Sequence, residues 1–268
     1  MTPPGDGPDT DHADTGIRLV TRGDDAGLAR SANAGIREAF ADGILENASV
    51  MAPGPEFGHA ADELADLERL CVGVHLTLTA EWDRPRWGPV SSPEAVPSLV
   101  DDDGAFFHTA MALHERDASI TEMISEATAQ IDRVRDAGFE PAYLDCHMGV
   151  DWVGDLASEL DSLREREGLL DGDGVEMLPD VDGAANDPDG LCARLDAVES
   201  GTHLVVGHPS YDDRELQGVV GAGYGPGEVA TERDAQRRMF LDESVGRYCK
   251  EYDVEPVRFV DLSAETFG

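Results

Sequence analysis

The sequence predicts an α/β protein in which a mostly parallel sheet of about seven strands is rolled into a barrel. Short apolar runs alternate with segments whose apolar residues recur every three or four positions. The 268 residues suit one large domain. Several apolar runs end in Asp or His, and the ends of strands in such sheets are where active sites form.

The predicted elements follow one another along the chain. Strands are expected from residue 17 up to the first Asp pair and at 47–51, 71–79, 142–147, 175–178, 201–209 and 257–262. Helices are expected at 31–42, 56–70, 119–138, 156–166, 188–198 and 231–249. Ser119 with Glu122, and Thr231 with Asp234, have the spacing of helix caps. The glycine-rich segment 218–227 is expected to be a mobile loop.

Two adjacent carboxylates close the first predicted strand. Asp24 and Asp25 follow an apolar run, and Gly23 and Gly27 permit a sharp turn there. Neighbouring side chains on a regular strand point to opposite faces, but at a breaking strand both can turn into one cleft. An ordinary Asp-Gly loop on an acidic protein would have the same sequence.

The charge of the chain is strongly negative. Asp and Glu number 56 against 20 Lys and Arg, which gives a net charge of −36, and Lys250 is the only lysine. The acid is spread through segments with clear apolar periodicity, which indicates the solvated surface of a folded domain. Because screening at molar salt shortens to about 3 Å, our hypothesis is a host with a salty cytoplasm. The same charge disfavours nucleic acid and anionic membranes as partners.

The N-terminal residues and the cysteines favour a cytoplasmic protein. Residues 1–16 lack a basic start and an apolar core, and they predict a disordered acidic leader before a barrel domain at 17–268. No run reaches the roughly 18 apolar residues of a membrane span. The four cysteines are far apart and form no Cys-x-x-Cys pair, which is typical of reduced, mostly buried thiols.

The strands at 71–79 and 142–147 each have one apolar and one polar face. In the first, apolar side chains alternate with a face that carries His75. In the second, Asp145 and His147 share a face by the same alternation, and His208 ends the strand at 201–209. Because helices cover the apolar faces, the polar faces are expected to line an interior that holds chemistry. A hydrogen-bonded core histidine would give the same pattern at 75.

The segment 80–108 interrupts this rhythm and is predicted to be an inserted loop. A stretch of this length without regular structure is usually functional. Trp82, Arg86 and Trp87 suit a sugar or another polar ring, and we expect them to bind substrate. A surface loop packed by its own aromatics is the alternative.

The residues at the strand ends suit metal-assisted hydrolysis. One carboxylate with two imidazoles forms a facial metal triad that leaves positions open for water and substrate. A Zn²⁺-type ion lowers the pKa of its water from about 15.7 towards about 7, and a second carboxylate can take the proton. Glycosidases instead need two carboxylates at least ~5 Å apart across the bond. The adjacent Asp24 and Asp25 suit a metal ligand plus a base better.

Six short motifs resemble one known family. They are Asp-Asp-x-Gly at 24–27, Val-Gly-Val-His-Leu-Thr-Leu-Thr at 72–79, Trp-Gly-Pro at 87–89, Pro-Ser-Leu-Val-Asp at 97–101, Leu-Asp-x-His-Met-Gly at 144–149 and His-Pro at 208–209. In this order, over about residues 17–262, they are similar to the ChbG/HpnK (YdjC-type) carbohydrate deacetylases. The resemblance implies a deformed (β/α) barrel that removes an acetyl group from an N-acetylated amino sugar with the help of a metal.

The resemblance also implies roles for individual residues. Asp25, His75 and His147 match the ligands of one divalent ion, Mg or Zn. Asp24 matches the catalytic base, and His208 the acid that protonates the leaving amine.

The chain departs from the family pattern near the predicted site. Ala26 stands where the family usually has Phe. Met148, Gly149 and Asp151 stand where many relatives have further histidines. These departures bear on the identity of the substrate. The alternatives are a metal-dependent sugar isomerase or aldolase and a non-catalytic sugar-binding protein, and a homo-oligomer is possible.

Overall fold

A computed structural model describes residues 16–221 and 223–262. The strands are β1 (Ile17–Ala26), β2 (Asn47–Val50), β3 (Cys71–Leu76), β4 (Trp82–Arg84), β5 (Tyr143–Cys146), β6 (Leu170–Asp171), β7 (Gly201–Gly207), β8 (Val220–Gly221) and β9 (Val254–Val257). The helices are α1 (Arg30–Asp42), α2 (Phe57–Leu64), α3 (Ala110–Glu115), α4 (Ile120–Asp136), α5 (Leu156–Glu167), α6 (Pro188–Leu195), α7 (Glu228–Leu241) and α8 (Glu243–Glu251). The predicted leader at 1–16 lies, apart from Gly16, outside the described residues.

Seven of these strands form one parallel sheet. Its order is β6-β5-β3-β2-β1-β7, and β9 also pairs with β1. The long strand β1 has β7 along one edge, and β9 followed by β2 along the other. Because all pairs are parallel, the carboxyl ends of the strands meet at one end of the sheet. The predicted α/β fold with about seven mostly parallel strands is confirmed.

The sheet curls until its two ends are joined by one segment of chain. Strand β6 pairs with β5 at one end of the sheet. Further along the same segment, Met177 bridges Leu204 of β7 at the other end. The N–H of Leu178 donates to the Leu204 carbonyl at 2.9 Å, and the N–H of Leu204 donates to the Glu176 carbonyl at 2.8 Å. The predicted strand at 175–178 is therefore a single bridge, and it closes a deformed barrel.

The barrel interior has an apolar half and a polar half. The apolar half lies towards the amino ends of the strands, and its buried members are Val20, Cys71, Tyr143, Val175, Leu204, Val257 and Phe259. Further along the same strands come Arg22, Asp24, His75 and Asp145, which are also buried. The Tyr143 ring fits between the halves because a Cβ at Gly73 would lie 2.1 Å from Tyr143 Cε2. An apolar plug thus supports the polar end.

The predicted insertion at 80–108 is fastened to α4 by polar side chains one turn apart. Glu126 is fully buried and accepts hydrogen bonds from the backbone N–H groups of Val90 and Ser91, at 2.8 and 3.0 Å. Gln130 accepts from the N–H of Thr77 at 3.0 Å and donates to its carbonyl at 2.7 Å. These contacts hold an irregular segment against the barrel beside the carboxyl ends of the strands.

The predicted elements near the C-terminus differ from the observed ones. The single helix predicted at 231–249 is two helices, because Asp242 adopts an extended conformation and its side chain caps α8 by accepting from Ser244 N–H. Helix α7 begins at Glu228, so Thr231 lies inside it and does not cap it. The closing strand predicted at 257–262 lies earlier, at β9, and a 3₁₀ turn follows at Phe259–Asp261. Much earlier in the chain, the helix predicted at 56–70 also differs, because it ends at Leu64.

Two further sequence expectations concern membranes and thiols. Within 16–221 and 223–262, no helix is both long enough and apolar enough to cross a bilayer. All four cysteines are free, and three of them are buried.

Candidate active site and metal centre

A cavity of about 340 Å³ lies at the carboxyl ends of the barrel strands. It is lined by the five residues that the sequence places at strand ends, namely Asp24, Asp25, His75, His147 and His208. Strand β1 supplies the two carboxylates, β3 supplies His75, and the turns after β5 and β7 supply the other histidines.

A β-bulge near the end of β1 turns both adjacent carboxylates into this cavity. The register of β1 against β2 shifts between Gly23 and Ala26. Asp25 has a φ of 64°, in the left-handed region that non-glycine residues rarely adopt. A bulge of this kind re-aims side chains beside active sites. The backbone at Asp25 is strained, and this strain is the structural reason that Asp24 and Asp25 share one cleft.

Three side-chain atoms converge at the centre of the site. Asp25 Oδ1 lies 3.5 Å from His75 Nε2 and 3.3 Å from His147 Nδ1, and the two imidazole nitrogens are 3.1 Å apart. Two ligands about 2.1 Å from one ion lie roughly 3.0–3.4 Å apart at octahedral or tetrahedral angles. Both Asp25 oxygens are buried and accept no hydrogen bond of good geometry within the described part of the chain. The triad therefore fits a divalent metal ion.

Each of the two histidines is oriented by a carboxylate on its far side. His75 Nδ1 lies 2.5 Å from Asp145 Oδ2, and His147 Nε2 lies 2.9 Å from Glu81 Oε2. Because a carboxylate accepts hydrogen bonds, the proton of each neutral ring lies on the nitrogen facing Asp145 or Glu81. The lone pair of the other nitrogen then points towards Asp25. Such carboxylate–histidine pairs fix the ring orientation and the tautomer of metal ligands.

The surrounding charges set the protonation of the triad. Burial lowers the pKa of His75, but the carboxylates of Asp145 and Asp24 outweigh it and place this pKa well above its usual range. Burial is likewise outweighed by Glu81 and Asp25 at His147, whose pKa rises to about 9. Since imidazole binds a metal only as the neutral base, His75 and His147 would have to release their extra protons to hold a cation.

Arg233 of α7 holds a positive charge against the metal-facing carboxylate. Its Nη2 lies 2.7 Å from Asp25 Oδ2. Burial raises the pKa of Asp25, but Arg233 and the imidazoles of His147 and His75 lower it more, so the pKa lies well below its usual range. Asp25 is therefore an ionised ligand although it is buried.

A second buried arginine holds Asp24. Arg22 Nε lies 2.8 Å from Asp24 Oδ1, and Arg22 Nη2 lies 3.0 Å from Oδ2. Arg22 Nη1 also donates to the Gly172 carbonyl at 2.7 Å, and Nη2 lies 3.4 Å from Asp145 Oδ2. This two-point contact fixes the plane of the Asp24 carboxylate. Asp24 is thus presented to the cavity beside the triad in one orientation.

His208 lies on the same cavity and is oriented by Gln236 of α7. Gln236 Oε1 accepts from the backbone N–H of His208 at 2.5 Å and lies 3.1 Å from His208 Nδ1. Because this atom accepts from a backbone N–H, it is an oxygen, and Nδ1 carries the ring proton. Burial and Arg233 lower the pKa of His208. The resting ring is therefore neutral, and Nε2 has a free lone pair.

Only one of the three residues predicted to bind substrate lines the cavity. Trp82 of β4 lies in its wall. Trp87 is buried behind the site and donates its indole N–H to the Thr79 carbonyl at 2.8 Å. Arg86 forms an ion pair with Asp101 at 2.8 Å. The structure thus places Arg86 and Trp87 where they hold the inserted loop together.

The departures from the family pattern lie close to the triad. Ala26 is fully buried at the end of β1. Met148 and Gly149 directly follow His147 with φ values of 55° and 54°, so the chain turns sharply there. Met148 is 56% exposed and lines the cavity. The rim of the site is therefore apolar at Met148.

Comparison with known proteins agrees with this architecture. The family model described as YdjC-like protein matches residues 18–251. The chain belongs to this family. The family predicted from the sequence motifs is confirmed.

Named proteins and a solved structure match most of the chain. A carbohydrate deacetylase of Thermoanaerobacter pseudethanolicus is 26% identical over 258 residues, covering 88% of this chain and 95% of that protein. One from Geobacillus stearothermophilus is 31% identical over 209 residues, covering 74% and 81%. A crystal structure of an Enterococcus faecalis V583 protein has the same fold, with a TM-score of 0.77, 22% identity and coverage of 92% and 99%.

Four residues of this YdjC-like site are absent from the sequence predictions. Arg22 has a detectable signal, because it lies two residues before Asp24 on the same face of β1. Glu81 lies in the irregular segment after β3, where no periodic pattern indicates which way a side chain points. Arg233 and Gln236 lie on one face of α7, and polar residues on a helix are ordinarily expected to face solvent.

Proposed function

We propose that this protein is a carbohydrate deacetylase that uses one divalent ion to remove the acetyl group from an N-acetylated amino sugar. The observation that carries the proposal is the convergence of Asp25, His75 and His147 within 3.1–3.5 Å, with a second carboxylate beside them. The relatives named carbohydrate deacetylase support it, because they match most of this chain.

Asp25, His75 and His147 are the proposed ligands of the ion. When bound, a divalent ion polarises the amide carbonyl and lowers the pKa of a water molecule. A set of two imidazoles and one carboxylate accepts either Zn or Mg. Arg233 forms an ion pair with Oδ2 of Asp25, the oxygen that does not face the two histidines, and keeps that carboxylate ionised.

Asp24 is the proposed general base. Its carboxylate accepts the proton of the attacking water, and Arg22 holds it in place for this transfer. A base positioned in this way contributes roughly 10²–10⁴-fold to the rate. The two hydrogen bonds from Arg22, one to each carboxylate oxygen, leave Asp24 little freedom to turn away from the cavity.

His208 is the proposed acid that protonates the leaving amine. Its tautomer determines which ring nitrogen can carry the transferred proton. Nδ1–H is directed at Gln236, so only Nε2 can deliver a proton into the cavity. Because Nε2 is unprotonated in the neutral resting ring, it first takes up a proton from solvent in the cavity and gives it to the amine nitrogen as the C–N bond breaks, while the proton that Asp24 accepted from the attacking water returns to solvent. His208 thus acts first as an acceptor and then as a donor.

A screen for acetate release tests the proposal. N-acetylglucosamine, N-acetylgalactosamine, N-acetylmannosamine and short N-acetylated oligosaccharides are incubated with the protein at high KCl, with and without a chelator. We expect acetate from at least one of them, and loss of release with the chelator. Release that persists after metal removal, or none from any N-acetylated sugar, would contradict the proposal. Sugar isomerisation by a fully active His208→Phe variant would favour the isomerase alternative.

A further inference from the structure

A small two-stranded sheet forms part of one wall of the active-site cavity. Strand β4 of the inserted loop pairs antiparallel with β8, and Trp82 lies opposite Gly221. The strands approach closely because Gly221 has no side chain, and a Cβ there would lie 2.5 Å from the Asp83 nitrogen. Strand β8 belongs to the segment 218–227, which the sequence predicts to be a mobile loop.

This sheet brings two aromatic rings together at the cavity. The N–H of Tyr224 donates to the Gly221 carbonyl at 2.9 Å, which fixes Tyr224 beside the pair of strands. The rings of Trp82 and Tyr224 have centroids 5.8 Å apart and are inclined by 70°. Both side chains line the cavity that contains the triad. Two residues 142 positions apart in sequence therefore form one aromatic corner next to the metal centre.

The indole nitrogen of Trp82 has an unused hydrogen-bonding group. Trp82 is 5% exposed, and its Nε1–H has no acceptor among residues 16–221 and 223–262. Trp87 provides the contrast, because its Nε1–H donates to the Thr79 carbonyl. A buried indole N–H usually finds a partner. Trp82 itself lines the cavity, so this unpaired donor lies in the cavity wall.

The combination suits a pyranose ring. The C–H faces of a sugar pack on aromatic rings, and its hydroxyl groups accept hydrogen bonds from N–H donors. Tyr224 lines the cavity and is 41% exposed even though its ring contacts Trp82. Glu232 lines the same cavity and offers acceptors for the remaining hydroxyl protons.

We propose that Trp82 and Tyr224 form the subsite for the sugar ring, with Trp82 Nε1–H donating to an oxygen of the substrate. This inference rests on the proposed deacetylase function, since the triad defines where the acetyl group lies. It adds Tyr224, which the sequence does not indicate, and it gives the two aromatic residues a role in binding rather than in bond cleavage.

Sugar binding to an Asp24→Asn background tests the subsite without turnover. Titration calorimetry with N-acetylglucosamine, N-acetylgalactosamine and N-acetylmannosamine is run on the metal-loaded protein, and the tightest binder serves as the probe. We expect Tyr224→Ala to weaken binding about 10-fold and Trp82→Phe, which retains a ring, about 3- to 10-fold. The metal content should be unchanged in both.

Matched substitutions control for general effects. Tyr252→Ala and Trp152→Phe change exposed residues that are absent from the cavity lining, so their affinities should equal that of the background. In the Asp24-containing enzyme, Tyr224→Ala should raise KM about 10-fold while kcat changes less than about twofold.

The outcomes separate the subsite from the reaction. Unchanged affinity in both aromatic variants, or no binding of any of the three sugars, overturns the subsite. Acetate release with an unchanged KM in both variants also overturns it, but leaves the deacetylase proposal intact. Sugar binding that both substitutions weaken, in a protein that releases no acetate, supports the subsite and contradicts the deacetylase proposal.

Discussion

The two halves of the barrel interior lie on the same strands and differ in what holds them together. In the apolar half, Tyr143 and Phe259 pack with ring centroids 4.2 Å apart, and burial of apolar surface stabilises the fold. In the polar half, Arg22, Asp24 and Asp25 are all nearly inaccessible to solvent. Burying charges costs free energy, which ion pairs and hydrogen bonds only offset. The apolar half thus stabilises the protein, while the polar half is shaped for chemistry.

The strain at the end of β1 belongs to the polar half. Asp25, with its φ of 64°, would relax if the strand continued regularly, but Asp24 and Asp25 would then face opposite sides of the sheet. The packing of the apolar half supplies the stability that tolerates such a conformation. Substitutions in the two halves should therefore have separable effects on activity and on stability.

Asp24→Asn should abolish most of the activity while the protein still binds metal. Replacing the proposed base should lower kcat by about 10²–10⁴-fold, because the amide cannot accept the proton. Steady-state acetate release and elemental analysis of the same preparation check both parts. Turnover at the wild-type rate would show that Asp24 is not the base.

Phe259→Ala should lower stability and leave activity nearly unchanged, the reverse of Asp24→Asn. Removing a fully buried ring from the apolar half should lower the free energy of unfolding by about 3–5 kcal/mol. At temperatures where the variant is folded, kcat should lie within about twofold of wild type. Denaturant unfolding at high KCl measures the loss. The neighbouring Val260→Ala is the control, since Val260 is 50% exposed and its loss should cost less than about 0.5 kcal/mol. A large loss of kcat in folded Phe259→Ala would show that the two halves are not separable.

Glu81→Gln should weaken metal binding about 10-fold or more, because the carboxylate that orients His147 loses its charge. Competition with a metal-binding dye measures the affinity. Glu126→Gln is the matched control, since Glu126 is a buried glutamate bound to backbone N–H groups far along the insertion. It should lower stability by about 1–2 kcal/mol and leave metal affinity unchanged. The reverse pattern would rule out an orienting role for Glu81.

Gln236→Glu should move the pH profile by about one unit. In wild type, burial and Arg233 lower the pKa of His208, so the neutral ring persists below the usual value and activity is lost only as pH falls through this low pKa. A carboxylate beside Nδ1 favours the protonated ring, so the acidic limb of kcat/KM should move to higher pH. Gln217→Glu, an exposed glutamine, should not move it. If the acidic limb of the Gln236→Glu profile does not move, the pH dependence of kcat/KM does not arise from His208.

The sequence predicts the polar half unevenly, and the reason is periodicity. Alternation along a strand gives the direction of each side chain, which places His75 and His147 inside the barrel. The same rule would have assigned Arg22 to the interior. Glu81 follows β3 in an irregular segment, and Gln236 lies on a helix whose inward face depends on how it packs. Long-range packing decides such positions, so a local pattern cannot indicate them.

The boundaries near the C-terminus show the same limit. The apolar run at 257–262 is compatible with a strand, but β1 has space beside Ile17–Val20, and residues 254–257 fill it. The 3₁₀ turn that follows inserts Phe259 into the apolar half. At Asp242, helical spacing continues across a break that the side-chain cap of α8 creates.

The most direct test of the account is the metal stoichiometry of the triad. Metal-free protein is titrated with Zn²⁺ and separately with Mg²⁺ by calorimetry at high KCl, and Asp25→Asn, His75→Ala, His147→Ala and the exposed control His114→Ala are compared with wild type. We predict one ion per chain in wild type and in His114→Ala, and a large loss of affinity in each of the three triad variants. Wild-type affinity in any triad variant, or no stoichiometric binding of either ion by the wild-type protein, would contradict the account.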